Sequence, residues 1–173
     1  MNKKKQIIKY SIISAIVVVC VLLDQVTKFI AESKLVKYQS VEVIEGFFDL
    51  TLCYNTGGAW SILNDSTWIL ILVSIVALGF MIFTFIKSED RMYLVSASVF
   101  TGGLIGNLID RIFNIGVVDF FDFNIFGYDF PVFNVADIFI VCSAIFIGIS
   151  LLLEDKKDKI KNKDEENESN SSN

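Results

Sequence analysis

The chain has 173 residues, of which 53% are hydrophobic and only 20% are charged, and its mean hydropathy is +0.57. A soluble domain of this length cannot hide so much apolar surface, so the composition excludes a free cytosolic protein and indicates a small polytopic membrane protein. The net charge of −5 argues against a nucleic-acid-binding protein, and the absence of His excludes Ser-His catalysis, Cys-His catalysis and His-containing metal sites.

Four stretches approach the roughly 20 apolar residues that cross a bilayer core. They predict an all-α membrane protein whose transmembrane helices cover residues 7–30, 68–86, 92–109 and 131–153. We expect the first span to be retained rather than cleaved as a signal peptide, because no small-x-small cleavage site follows it. The three cysteines are far apart in sequence, which predicts neither a disulfide framework nor a zinc site.

Ionisable groups inside a membrane are costly, and each is therefore a candidate for function. In the first span, Asp24 and Lys28 lie four residues apart and share one helix face, so we expect them mainly to pair with each other. This expectation makes them structural residues rather than catalytic ones.

The segment after the first span alternates in hydrophobicity from Ser40 to Tyr54. The alternation predicts a small extracytoplasmic β-strand element, with two short strands turning near Glu45 and Gly46. The motif N-T-G-G-A-W follows at 55–60, where Asn55 adds a polar side chain to a flexible turn. On the residues alone, this turn is either a plain connection or part of a site.

The third span combines small residues with a polar end. Gly102 and Gly106 have the spacing of close helix packing, which predicts no chemical role for them. Asn107 lies one helical turn before Arg111, and we expect Asp110 and Arg111 to pair with each other or with loop backbone.

The loop at 113–130 is rich in aromatic residues. Its rings are Phe113, Phe120, Phe121, Phe123, Phe126, Tyr128 and Phe130. The composition favours an aromatic belt at the membrane surface over an apolar flap above a site.

Asp137 has no Lys, Arg or His near it in sequence, and we place it one to two turns into the fourth span. Desolvation there disfavours the charged carboxylate, so the side chain needs a proton or a partner that shares one. Asp119, Asp122 and Asp129 are the partners that the outer loop offers, and the spacing does not choose among them. Two carboxyl groups that share a proton can hydrolyse an amide by general acid-base catalysis without His, Ser or metal.

Most of the 15 Lys and Arg residues lie in the N-terminal segment, the link between the second and third spans, and the tail. The positive-inside rule then places both termini in the cytoplasm and the two longer loops outside. Residues 1–153 form the predicted membrane domain, and the charged, Asn- and Ser-rich residues 154–173 form a tail that we expect to be disordered.

Three functional classes fit a membrane protein of this kind. The first is an intramembrane aspartyl endopeptidase, the second a small proton-coupled transporter or channel, and the third a structural membrane subunit. The polar positions cluster at the outward ends of the spans, which favours surface chemistry over a path across the membrane.

Five sequence blocks, in order, resemble the signal peptidase II family of bacterial membrane aspartyl proteases, over roughly residues 7–153. These blocks are D-Q-V-T-K at 24–28, N-T-G-G-A-W at 55–60, G-G-L-I-G-N-L-I-D-R at 102–111, V-V-D-F at 117–120 and F-N-V-A-D at 133–137. One mild departure is Gly58, where Ala is commoner in the family.

The resemblance implies that Asp119 and Asp137 are the catalytic pair. It also implies roles in shaping the site or holding substrate for Asp24, Lys28, Asn55, Gly57, Asn107, Asp110, Arg111, Asn134 and Ala136. The implied substrate is a diacylglyceryl-modified prolipoprotein, cut just before the lipidated cysteine at the outer face of the bacterial cytoplasmic membrane. The implied partners are that substrate and membrane lipid, with no nucleic acid, no metal and no cofactor.

Overall fold

The computed structural model describes residues 3–57, 67–114 and 116–171. Its helices are α1 (Lys3–Lys34), α2 (Thr67–Lys87), α3 (Arg91–Phe113) and α4 (Val135–Ser171). Within the described residues, these four helices are long and apolar enough to cross a membrane, which confirms the predicted all-α architecture. Gly58, where the sequence departs from the family pattern, lies outside the described residues.

Helix α3 is the centre of the bundle, because it packs against α1, α2 and α4. Small residues allow this close approach: a Cβ atom on Gly102 would lie 2.5 Å from Cys20 Cβ, and one on Gly103 would lie 2.6 Å from the carbonyl oxygen of Ala136. The close packing predicted from the glycine spacing is therefore confirmed.

Two contacts show that the basic N-terminal segment, the basic α2–α3 link and the C-terminal part of α4 lie at the same end of the bundle, although they are far apart in sequence. Lys9 Nζ on α1 donates to the carbonyl oxygen of Ser88 in the α2–α3 link at 2.6 Å. Ser150 Oγ on α4 donates to Asp90 Oδ1, 2.8 Å away, and Asp90 also caps the start of α3. The opposite end of the bundle carries the β-sheet.

The sheet has four antiparallel strands in the order β1 (Ser40–Ile44), β2 (Phe48–Asn55), β3 (Val117–Ile125) and β4 (Tyr128–Asp129). The predicted β1–β2 hairpin is confirmed, with Gly46 at a φ of +67° in its turn. The aromatic segment, in contrast, is not a loop: β3 pairs along β2. The β-branched and aromatic residues of β3 suit a pleated, half-buried surface, and this is the physical reason for the difference.

The aromatic rings mostly build the packed face of this sheet. Phe123 stacks on Phe48 with 4.5 Å between ring centroids, and on Phe133 with 5.6 Å. Phe120 is buried, whereas Phe126 at the β3–β4 turn is fully exposed. The belt interpretation therefore does not describe the rings of β3, which hold the sheet together.

Helix α4 begins at Val135, after the extended residues 131–134. Phe133 bridges to Phe121 of β3 by backbone hydrogen bonds, which keeps this entry segment from being helical. At its other end α4 continues past the apolar span to Ser171, where the composition predicts disorder. The only ion pair described along that part joins Lys159 and Asp155, both exposed, and such pairs contribute little. The disorder of residues 154–173 stays a prediction.

Candidate active site

A buried polar cluster lies where α1, α3, β3 and the start of α4 meet. Its centre is the Lys28 ammonium on α1, which is 2% exposed. The Nζ atom lies 2.8 Å from Asp24 Oδ2, 2.7 Å from Asp110 Oδ2 and 2.9 Å from Asn107 Oδ1. All three ammonium donors thus have acceptors, as a buried charge requires. The predicted pairing of Asp24 with Lys28 is confirmed, and Asp110 is a second partner.

The two carboxylates of this cluster each hold another element in place. Asp24 Oδ1 accepts the backbone N–H of Ala136 at 2.9 Å, so α1 caps the first turn of α4. Asp110 Oδ2 accepts the backbone N–H of Val118 at 3.2 Å, which fastens β3 to the end of α3. Asp110 was expected to pair with Arg111 or with loop backbone, and the backbone contact is the one present.

Asp137 lies in the first turn of α4, not one to two turns into the span. Asn134 is the residue before the helix, and the two form a reciprocal cap. The N–H of Asp137 donates to Asn134 Oδ1 at 3.0 Å, and the N–H of Asn134 donates to Asp137 Oδ2 at 3.2 Å. Asn107 Nδ2 donates to the other carboxylate oxygen at 2.8 Å. The Asp137 side chain is therefore fixed by two hydrogen bonds, and its backbone N–H by a third.

Asp119 lies in β3, where its neighbour across the sheet is Cys53 of β2, and only 1% of it is exposed. Its Oδ1 accepts from Asn134 Nδ2 at 2.6 Å and its Oδ2 from Asn55 Nδ2 at 3.1 Å. Burial, and then the charge of Asp137, raise the pKa of Asp119 to about 7 against the opposing effect of these hydrogen bonds. Asp119 is therefore largely protonated below neutral pH and loses its proton as the pH rises through about 7.

The thiol of Cys53, the neighbour of Asp119 across the sheet, is not suited to act as a nucleophile. Burial, followed by the charges of Asp119 and Asp122, raises the pKa of Cys53 to about 12. Since the thiolate is the reactive form, Cys53 is inert at neutral pH.

Asn134 joins the two aspartates, because its side-chain amide contacts Asp119 while its backbone N–H contacts Asp137. The other two partners that the sequence left open lie elsewhere. Asp122 accepts from Thr51 Oγ1 at 2.7 Å, and Asp129 accepts from Asn124 Nδ2 at 2.7 Å. Both line a second cavity and neither lines the cavity of Asp137, so Asp119 is the partner that the fold brings to Asp137.

Asp119 and Asp137 both line one cavity of about 480 Å³. Its polar wall includes Asn55, Asn107 and Arg111, and its apolar wall includes Phe130, Ile138 and Val141. Ile138 and Val141 are exposed on the outer face of α4, so the cavity joins the carboxyl groups to the side of the bundle that faces lipid in a membrane. A substrate with both a peptide and an apolar part fits a cavity of this character.

The remaining predicted residues all lie at this site. Asn55 Oδ1 accepts the backbone N–H of Gly57 at 3.1 Å, which orients the Asn55 amide with its Nδ2 toward Asp119. Arg111 donates to the carbonyl oxygen of Asn107 at 3.3 Å and presents its guanidinium to the cavity. Ala136 is fully buried under the Asp24 carboxylate.

Sequence reasoning missed Gln25 and the glycine beside it in space. Gln25 Nε2 lies within 3.2 Å of Asp24 Oδ2, Asp110 Oδ1 and the carbonyl oxygen of Gly106, so it bridges both carboxylates of the cluster. A Cβ atom on Gly106 would collide with the Asp24 carboxylate. Both residues occur in the blocks already singled out, and the signal that points to them is their position beside charged residues within a span.

Comparison with known proteins gives consistent results. Residues 16–153 match the family described as signal peptidase (SPase) II. The chain is 41% identical over 160 residues to the lipoprotein signal peptidase of Staphylococcus aureus, covering 90% of this chain and 97% of that protein. The protein of the same name from Staphylococcus aureus strain JH9 gives the same identity and coverage.

Two solved structures, each described as a bacterial membrane enzyme studied by the in meso method, have the same fold. The structure at 2.3 Å resolution has a TM-score of 0.78 and 38% identity, and the match covers 85% of this chain and 91% of that one. The structure at 1.9 Å resolution has a TM-score of 0.74 and 39% identity, and covers 82% and 93%. These similarities support a peptidase and give no support to a transporter or channel.

Proposed function

The chain belongs to the signal peptidase II family, and from that premise we propose that Asp119 and Asp137 are the catalytic pair of this enzyme. As a member of the family it is an aspartic peptidase of bacterial membranes that removes signal peptides from prolipoproteins. The observation that carries the assignment is the shared contact with Asn134, which holds both carboxyl groups at the wall of one cavity.

The two carboxyl groups have different tasks in the proposed mechanism. Asp119 has a pKa raised to about 7, so in its protonated form it is the acid that donates a hydrogen bond to the carbonyl oxygen of the scissile peptide. Asp137 is the base that takes a proton from the attacking water. As the water oxygen bonds to the carbonyl carbon, the proton of Asp119 moves to the carbonyl oxygen. The carbon–nitrogen bond of the tetrahedral intermediate then breaks, and the leaving amine takes up the proton that Asp137 received. One hydroxyl group of the intermediate returns its proton to Asp119, which leaves a carboxylic acid as the other product and restores both aspartates.

Asn107 and Asn55 keep the two acids in position for this exchange, since each donates an N–H to one of the carboxyl groups. Arg111 presents N–H donors to the same cavity, where we propose that they hold the backbone carbonyl groups of the extended substrate. The buried cluster around Lys28 sets where β3 and α4 lie relative to each other.

We propose that the substrate cysteine carries diacylglycerol and that the cut falls just before this cysteine. The apolar wall of the cavity opens toward the lipid-facing side of α4, so acyl chains can remain in the membrane while the peptide bond reaches the carboxyl groups. We propose that both termini lie in the cytoplasm and the sheet on the outer side, and the basic residues gathered at the opposite end of the bundle support this orientation. Membrane lipid is a further partner in this proposal, and the proposed reaction needs only the two carboxyl groups and water.

Cleavage of lipidated and unlipidated forms of one precursor, measured side by side with purified enzyme, tests this proposal. We expect the diacylglyceryl-modified precursor to be cleaved and the unmodified one to be cut far more slowly, because only the first is held at the depth of the site. Equal cleavage of the two forms would contradict the role of the lipid. A cut at any bond other than the one before the cysteine would contradict the proposed register.

The raised pKa of Asp119 predicts the pH dependence of the reaction. The acid form is required, so kcat should fall as pH rises through about 7, approaching a tenfold loss per further pH unit. A carboxyl group with a raised pKa lowers the stability of the fold between its ordinary value of 3.8 and about 7, and causes no further loss above that range. Unfolding of this origin therefore cannot mimic the fall in kcat at higher pH.

The measurement is kcat from about pH 5.5 to about pH 9, with thermal unfolding recorded at each pH. A rate that keeps rising above pH 8 would mean that the ionised form of Asp119 is the active one, against the assignment of this residue as the acid.

A further inference from the structure

We infer that Lys28 is a positioning residue for catalysis, whose ammonium turns the Asn107 amide so that an N–H faces Asp137. The inference rests on the proposed function, because it takes Asp137 to be the catalytic base. It assigns the buried charge on α1 a task beyond joining helices.

The first step is the contact between Lys28 and Asn107. The distance from Lys28 Nζ to Asn107 Oδ1 is 2.9 Å, within a cluster that is almost completely shielded from solvent. An ammonium group has donors only, so the amide atom that faces it must be the oxygen. Because the amide group is planar, its NH₂ must then point to the other side.

The second step is the contact on that other side. Asn107 Nδ2 lies 2.8 Å from Asp137 Oδ1. An ionised carboxylate is only an acceptor, so the opposite amide orientation would place two oxygen atoms against each other at this distance. The orientation that Lys28 imposes is therefore the one that the base requires.

The third step is that the other contact of the Asn107 oxygen is weaker. Asn134 Nδ2 also approaches Asn107 Oδ1, at 3.1 Å. This NH₂ group has two hydrogens, and it faces Asp119 Oδ1 at 2.6 Å and the carbonyl oxygen of Val118 at 3.3 Å as well. Since two hydrogens cannot serve three acceptors fully, Lys28 is the group that fixes the amide.

The effect on catalysis that we infer for Lys28 passes through Asn107, which lines the catalytic cavity, whereas its ion pairs with Asp24 and Asp110 act on the fold. Lys28 itself is 2% exposed and is absent from the described cavity wall. Removing the ammonium should therefore lower kcat while KM for the precursor stays the same. A purely structural role would reduce the amount of folded enzyme and leave kcat per folded molecule unchanged.

The test is a double-mutant cycle of Lys28→Met and Asn107→Ala, measured as kcat and KM per folded molecule. We expect Lys28→Met to lower kcat roughly 10-fold to 100-fold. The double variant should be no slower than Asn107→Ala alone, because the effect of Lys28 passes through the amide that Asn107→Ala removes. Lys9→Met is the matched control, since it removes a Lys contact to Ser88 at the opposite end of the bundle. This control should leave kcat unchanged.

Multiplying effects of the two substitutions would overturn the inference, and so would an unchanged kcat in Lys28→Met. If Lys28→Met does not yield folded protein, Lys28→Gln takes its place in the same cycle, with the same two outcomes. An isosteric variant gives an independent reading: Asn107→Asp still accepts from Lys28 but cannot donate to an ionised Asp137, so it should lose kcat as Asn107→Ala does. Activity retained in Asp137→Asn would instead contradict the proposed function, whatever the cycle gives.

Discussion

Replacing either Asp119 or Asp137 with Asn is expected to lower the cleavage rate about 10²-fold to 10⁴-fold, the usual contribution of a positioned acid or base. Asn has nearly the shape of Asp but can neither donate an acidic proton nor accept one. Because the two carboxyl groups work as a unit, the double variant should be scarcely slower than either single variant. The measurement is single-turnover cleavage of a lipidated precursor, with folding checked by thermal unfolding in detergent.

Asp122→Asn is the matched control for this experiment. Asp122 lies in the same strand as Asp119, three residues further along, but it accepts from Thr51 and lines the second cavity rather than that of Asp137. Its substitution should leave the rate close to that of the unmodified enzyme. If Asp122→Asn were inactive while Asp119→Asn remained active, the assignment of the pair would be wrong.

The sequence predicts the spans and the β1–β2 hairpin because their signals are local. Uncharged apolar runs mark the helices, and alternation around Gly46 marks the hairpin. Nothing comparably local marks the pairing of β3 with β2. That pairing depends on residues about 70 positions apart in the chain, such as Cys53 and Asp119, and spacing alone does not give its register.

The start of α4 is a second point where the sequence misleads. The apolar run begins near Pro131, but the helix begins at Val135 because Asn134 and Asp137 cap it there. The motif N-V-A-D has the form of a capping box, and it contains the signal that the apolar run obscures. As a capping box, this motif predicts that Asp137 lies in the first turn of the helix and not further inside the span.

Composition and spacing do not identify which of Asp119, Asp122 and Asp129 lies beside Asp137. All three residues lie on one short acidic and aromatic segment, and only the fold separates them. Asn134 and Asn55 face Asp119, whereas Thr51 faces Asp122 and Asn124 faces Asp129. The family resemblance selects the same residue, because it rests on the V-V-D-F block at 117–120, which contains Asp119.

Replacing Asp24 with Ala is expected to destabilise the protein by about 3–5 kcal/mol, the usual cost of breaking a buried ion pair. The Asp24 carboxylate is completely buried and has two strong contacts that Ala cannot replace: the Lys28 ammonium and the backbone N–H of Ala136 at the start of α4. Lys28 would keep Asp110 and Asn107 as partners, and therefore the amide of Asn107 should stay oriented toward Asp137. Stability should accordingly fall much more than kcat per folded molecule.

Thermal unfolding in detergent, paired with kcat on the folded fraction, separates these two effects. Ser98→Ala is a suitable comparison, because it removes a buried hydroxyl of α3 that donates only within its own helix, to the carbonyl oxygen of Leu94. Its loss of stability should be small, since a net hydrogen bond contributes about 1 kcal/mol. An Asp24→Ala enzyme that melts normally but has lost its kcat would instead make this carboxylate part of the chemistry, because stability would then not depend on the ion pair that places α1 against α4.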